Sequence, residues 1–323
     1  MKKDLIYFGG LFTIILFLFQ QAFSIHFFQD DYFFLQISNI HSFQGFLNFF
    51  SPIRDYSYKP LPTEVFYFFI QHTGNNMIVA HAVVFFTYFI GLIFLYKSLL
   101  TVTKNEVLSR TATFLYAVSF VHVFQLYWLA TYQEILMFTF LSAAFYFYVK
   151  RALLPSIILF ILSLFCKETA ILFSLFLVFY EVFLHKKREI KKLIPYLIIS
   201  MLFYLIYRYS LQFVTNNDNY KIELSNIRLM INNTLWYSLW SIGFPNFMSD
   251  YFRSIFSAPI PEFWKVINNP TILIYLKLLG ATLVVCIGSI IYLLIRNIRS
   301  ARLLAVHAFI SFFSFLIFLG PIL

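Results

Sequence analysis

QDDYFFLQISNIHSFQGFLNFFSPIRDYSYKPLPTE, residues 29–64, is the stretch from which the rest of the chain is read. It opens on the acidic pair Asp30-Asp31 and closes on Tyr58-Lys59-Pro60-Leu61-Pro62. Ahead of it, residues 5–28 form an apolar run long enough to cross a bilayer, which takes roughly 20 residues. Within it, Phe33, Phe34, Ile37, Ile40, Phe43, Leu47 and Phe50 recur at near-helical spacing, with Asp31, Gln36, Asn39, His41, Gln44 and Asn48 between them. One face is too polar to bury, so the spacing predicts a helix lying in the membrane interface over residues 32–50. Pro60 and Pro62 break the chain, and Leu61-Pro62-Thr63-Glu64 predicts a second short helix that ends near His72.

Working outward, composition sets the class. The chain has 323 residues, 61% of them hydrophobic and 12% charged, with 45 phenylalanines. No water-filled surroundings suit that much apolar surface, so the expected fold is all-α and polytopic, with the bilayer as solvent. The net charge of +10 sits at the ends of apolar segments, as orientation signals do, and this argues against nucleic acid as a partner. Cys166 and Cys286 both fall in apolar runs, so no disulfide is expected.

Lys2 and Lys3 place the amino terminus in the cytoplasm and Asp30-Asp31 outside. Ala22-Phe23-Ser24 also suits a signal peptidase, but cleavage there would leave the acidic pair at a free terminus, and an uncleaved first span is the preferred reading. Further crossings are expected over residues 77–96, 107–128, 135–149, 153–166, 169–184, 193–211, 272–295 and 303–319, about nine in all with the first. Residues 212–271 read as an external, partly re-entrant region on the acceptor side, within a single domain over 1–323. The abrupt end at Gly320-Pro321-Ile322-Leu323 suggests a short chain of its kind. The basic run His185-Lys186-Lys187-Arg188 is cytoplasmic on this count, which puts Lys167-Glu168 outside. The 14 residues of 153–166 reach only about 21 Å against a hydrocarbon core of roughly 30 Å, so Lys167-Glu168 should sit in a recess below the outer surface.

Asp30, Asp31, Lys59, Glu64, Glu134, Lys167, Glu168 and Arg208 then all face outward. No nucleotide sugar or ATP is available there, so an activated group would have to arrive on a lipid carrier. Transfer from a polyprenyl-phosphate sugar needs a carboxylate to take the acceptor's proton and cations for the departing phosphate. The aspartate pair with Lys59 and Arg208 supplies both, and two oxygen-donor side chains at Asp30 and Asp31 would also suit magnesium, manganese or calcium. Plainer readings stand beside this one: a solvated acidic helix end, a proline-marked helix start at Tyr58-Lys59, a snorkelling Lys167-Glu168 pair, and Trp128 as interface belt rather than a sugar platform.

The chain resembles the GT-C-fold glycosyltransferases, membrane enzymes that use polyprenyl-phosphate sugars and include protein O-mannosyltransferases, aminoarabinose transferases and tetratricopeptide-linked mannosyltransferases. Four pieces carry the resemblance: Asp30-Asp31 after the first span, Tyr58-Lys59-Pro60-Leu61 before the second, Gly74-Asn75-Asn76 leading to His81, and Cys166-Lys167-Glu168-Thr169-Ala170. It implies Asp30 as catalytic base, Asp31 as its acidic partner and Lys59 as a contact of the carrier phosphate. Val121-His122-Val123 and Trp128 resemble a later external loop, and Gln133-Glu134 departs from the usual pattern of an arginine and an acid. The resemblance implies a multi-pass plasma-membrane protein that works among membrane lipids and passes sugar to a glycan, lipid or protein acceptor. Two other classes keep the same residues: a lipid-linked-oligosaccharide flippase, and a non-catalytic accessory subunit. The first wants charges along a path through the bilayer and inverted repeats, and neither is visible.

Overall fold

A computed structural model describes residues 2–54, 56–119, 121–184, 189–210, 227–241 and 243–296. Every regular element among them is helical. They divide into two compact units, one drawn from 1–178 with 189–221 and the other from 179–188 with 222–323. Among the described residues three helical stretches are long and apolar enough to cross a membrane: Lys3–Ser24, Met77–Thr103 and Ile190–Tyr207.

The first unit begins with α1 (Lys2–Phe19), which continues through a tighter turn, Gln20–Ser24. Leu11, Ile15 and Phe19 recur every fourth residue and are buried, the single stripe a helix presents to its neighbours. Three short helices follow: α2 (Asp30–Ile37), α3 (Phe43–Asn48) and α4 (Phe66–His72), the last preceded by a wide helical turn over Leu61–Val65. The sequence suggests one interfacial helix over 32–50, but two form, because Asn39 to His41 are non-helical and Ser42 caps α3 by accepting from the Gly45 N–H at 3.0 Å.

The central element is α5 (Met77–Thr103), about 40 Å long at helical rise. The Asn76 side chain caps its start, accepting from the N–H groups of Ile78 and Val79. Lys104, in the left-handed region at φ 57°, ends it. Ala80, Val84, Tyr88 and Leu92 form its buried stripe. α8 (Tyr132–Val149) packs against it where Gly91 leaves room for Phe138 and Thr139: a Cβ there would come within 2.6 Å of the Phe138 ring. The Thr139 hydroxyl donates to Thr87 O at 2.9 Å and that of Ser98 to Ser142 O at 3.3 Å. Helix contacts through small residues and hydroxyls are what lipid surroundings favour, since there the hydrophobic effect does not drive helices together. The pattern continues outward: Ser156 of α9 (Leu153–Leu164) donates to Ala144 O, and Tyr196 of α11 (Ile194–Ser210) donates to Ser156 Oγ.

The expected third crossing, 107–128, is not one helix. α6 (Glu106–Ala117) ends, and after a turn α7 (His122–Tyr127) begins, with His122 buried between the rings of Tyr88 and Tyr116. The expected sixth segment, 169–184, is likewise divided into a tight turn over Glu168–Ile171, α10 (Leu172–Phe179) and a wider turn over Tyr180–Leu184. At the end of this unit that carries the amino terminus, Arg110 pairs with Asp4, Tyr7 donates to Arg110 O, and Tyr96 donates to Asp4.

The second unit contains α12 (Ile227–Ser241), α13 (Glu262–Ile267) and α14 (Pro270–Arg296). Trp236 packs on Phe252, and Asn232 Oδ1 accepts from the Ile255 N–H at 2.7 Å. The expected crossing 303–319, the basic run 185–188 and residues 212–226 of the expected external region lie outside the described residues.

Candidate functional site

At the other end of the first unit, the connectors gather. Phe28 stacks on Trp128 with centroids 5.5 Å apart, Phe66 meets Tyr132 at 4.4 Å, and the Leu61 N–H donates to Phe165 O at 3.3 Å. These contacts bring the segments around Asp30, Lys59, Trp128 and Lys167 to one end of the bundle.

The two aspartates are not equivalent. Asp31 is fully buried. Its carboxylate accepts from the Tyr67 hydroxyl, from the Phe28 N–H at 3.0 Å and from the Ala130 N–H. Burial pushes its carboxyl above the usual range, against the pull of those three donors, while the neighbouring Asp30 charge adds to the rise. Burial and the Asp31 charge in turn push the Tyr67 hydroxyl well up. Gln71 Nε2 donates to Leu35 O and Ser38 Oγ, so α2 and α4 are clamped one turn beyond the Tyr67 contact.

Asp30 is exposed, and no hydrogen bond or ion pair holds its carboxylate among the described residues. Gln29, immediately before the pair, sits at φ 49° and ψ −120°. That conformation suits glycine and costs another residue about 1–3 kcal/mol. Asp30 and Asp31 are successive residues of α2, about 100° apart around its axis, so the first carboxylate stays in water while the next turns inward.

Lys59 is half-buried, and its ammonium has no hydrogen bond or ion pair among the described residues. Its carbonyl accepts from the Thr63 hydroxyl at 2.6 Å and from the Thr63 N–H at 3.2 Å, which fixes the backbone behind it. Glu64, also expected in the site, is fully buried and paired with Arg54, and the Tyr56 and Thr63 hydroxyls lie against it. Arg54 further donates to the carbonyls of Ser51 and Phe49, with its guanidinium 5.0 Å from the Tyr56 ring centroid and 4.9 Å from that of Tyr58. Glu64 therefore anchors the loop and is not available to a substrate. Tyr58 is an anchor too: it is buried against Phe165 and donates to Phe50 O. Burial raises the pKa of both Tyr56 and Tyr58.

Lys167 pairs with Glu134, with side-chain exposures of 13% and 32%. Next to these residues in the chain, Glu168 Oε2 and Gln133 Oε1 are buried with no hydrogen-bond partner among the described residues, as is Trp128 Nε1. One face of Trp128 is covered by Phe28 and its edge by Phe124. Arg208 lies in the last turn of α11, with its side chain outside the described residues.

For a divalent cation the pair offers little. The Asp31 oxygens already accept hydrogen bonds, Asp30 alone is free, and no group of three or more histidine, cysteine or acidic side chains able to hold a metal occurs among the described residues. Such sites usually take six or more oxygen ligands for calcium, or carboxylates with several waters for magnesium.

Compared with protein-family models, curated proteins and solved structures, the chain matches none. At this end the described residues offer an accessible carboxylate, Asp30, and a lysine without a counter-ion among them, Lys59.

Proposed function

We propose that the chain is a multispan membrane glycosyltransferase of GT-C-like architecture, with about nine spans and its site on the extracytoplasmic side. It transfers a sugar from a polyprenyl-phosphate donor to an extracytoplasmic acceptor with inversion. Asp30 takes the proton of the acceptor hydroxyl as that oxygen attacks the anomeric carbon. The bond from that carbon to the phosphate oxygen breaks, and the electron pair leaves with the polyprenyl phosphate. Lys59, with Arg208, receives the charge that develops on the phosphate. Asp31 touches neither substrate; bonded to Tyr67, Phe28 and Ala130, it is a positioning residue for its neighbour.

One observation supports this reading above the rest. Within a vicinal acid pair, one carboxylate is sequestered and the other is open to solvent and unpaired, on the end of the bundle that also presents Lys59. A general base must be reachable by its substrate, and a phosphate contact must not be neutralised beforehand. The experiment is to reconstitute purified protein in liposomes and supply polyprenyl-phosphate sugars labelled in the sugar. Release of free polyprenyl phosphate with label appearing in an acceptor supports the proposal. Movement of intact donor across the bilayer without transfer would replace it with the flippase reading.

A further inference from the structure

A cleft borders α4 on a face adjacent to the one that meets the acidic pair. Tyr67 of that helix is buried against Asp31, while Phe68 and His72 face the cleft, of about 500 Å³. Ile40, Phe43, Phe46 and Phe68 form its apolar part, and His41, Ser42 and His72 its polar part. Phe46 and Phe68 contact one another at 5.8 Å, and Phe43 is 76% exposed. His72 Nδ1 lies 2.8 Å from Phe68 O, so that nitrogen donates and Nε2 is left to accept. Neither His41 nor the hydroxyl hydrogen of Ser42 has a partner among the described residues.

The lining narrows the ligand. It contains no carboxylate, lysine or arginine. A phosphate or anionic headgroup is ordinarily met by arginine or lysine. An acyl or isoprenoid chain would use only the phenylalanine part of the lining and leave the hydrogen-bonding groups of His41, Ser42 and His72, all exposed, to water. A neutral saccharide suits both halves. Its C–H faces lie on the negative faces of phenylalanine rings, and its hydroxyl rim donates to and accepts from the imidazoles and Ser42. The volume falls within the range for small-molecule sites.

We infer that this cleft binds an uncharged saccharide, a distal unit of the acceptor glycan whose reacting end lies outside the cleft. Its assignment to the acceptor rests on the transfer reading; the binding itself does not. The test uses the full chain in phosphatidylcholine nanodiscs, free of sugar-headed detergent. Saturation-transfer NMR is recorded with maltose, cellobiose, lactose, chitobiose and α-mannobiose, and repeated for His41→Ala, His72→Ala and Asp30→Asn, each with its thermal transition checked. We expect at least one disaccharide to bind, about tenfold more weakly to each histidine variant, as loss of one hydrogen bond implies, and equally well to Asp30→Asn. Absence of binding by every disaccharide, or binding unchanged in both histidine variants, overturns the inference. Binding through the histidines without any transfer by the wild type would leave the cleft standing and remove the transfer reading.

Discussion

Replacing Arg54 by methionine should destabilise the protein out of proportion to its place in a loop. The wild-type pair keeps 4% of the arginine side chain and 0% of the Glu64 side chain exposed to solvent. Methionine fills most of the arginine's volume, so packing is largely kept and the loss is electrostatic. Glu64 would be left buried, with a Tyr56 hydroxyl 3.4 Å away and the Thr63 hydroxyl, but no cation. Removing one partner of a buried ion pair costs about 3–5 kcal/mol. The bonds from Arg54 to the carbonyls of Ser51 and Phe49 and its two ring contacts add to this without being additive. We expect a loss of about 4 kcal/mol for Arg54→Met and about 1–2 kcal/mol for Arg54→Met with Glu64→Gln, where no charge stays buried. Equilibrium unfolding of the detergent-solubilised protein, completed by Glu64→Gln alone, gives the full double-mutant cycle. A single-variant loss below about 1 kcal/mol, or a double variant equal to the sum of the singles, would refute the reasoning.

Three further outcomes follow from the packing and the acid pair. Gly91→Val places a branched side chain where a Cβ alone would meet Phe138 at 2.6 Å and Thr139 Oγ1 at 2.7 Å; it should cost about 1–3 kcal/mol in the same assay, whereas Gly10→Ala, with nothing within 4 Å, should change little. Gln29→Gly should match or exceed wild-type stability and Gln29→Val should fall below it, since only the former relieves φ 49°; equal melting temperatures would show that the turn is unstrained. Because the folded-state pKa of Asp31 is raised, its stabilising contribution is full below the unfolded value, about 3.9, and is lost as pH rises through the folded value. Asp31→Asn should therefore gain on the wild type as pH increases, and a difference that is flat between about pH 4 and pH 8 would contradict the raised value.

The parts of the fold set by local signals were legible in the sequence. Continuous apolar runs marked α1, α5, α8 and α11, and Asn76 stands where an N-cap is needed. The break between α6 and α7 was not, because no proline or glycine stands between Ala117 and His122. The chain turns there with His122 buried between two tyrosine rings, a tertiary effect that overrides a helical pattern. Arg54 also escaped notice. A lone arginine in a loop has no periodicity, and its partner Glu64 lies ten residues on. The signal available was Tyr56 and Tyr58 at two and four positions beyond it, which share its side of an extended segment. Asp30 and Asp31 stand out in the sequence as a pair, but which carboxylate is sequestered depends on contacts with Tyr67 and the Phe28 N–H that no local pattern marks.

The most direct test compares Asp30→Asn with wild type in transfer from a polyprenyl-phosphate sugar by the reconstituted protein. Loss of a general base predicts turnover lower by about 10²–10⁴-fold with donor binding kept. Turnover equal to that of the wild type would contradict the central claim.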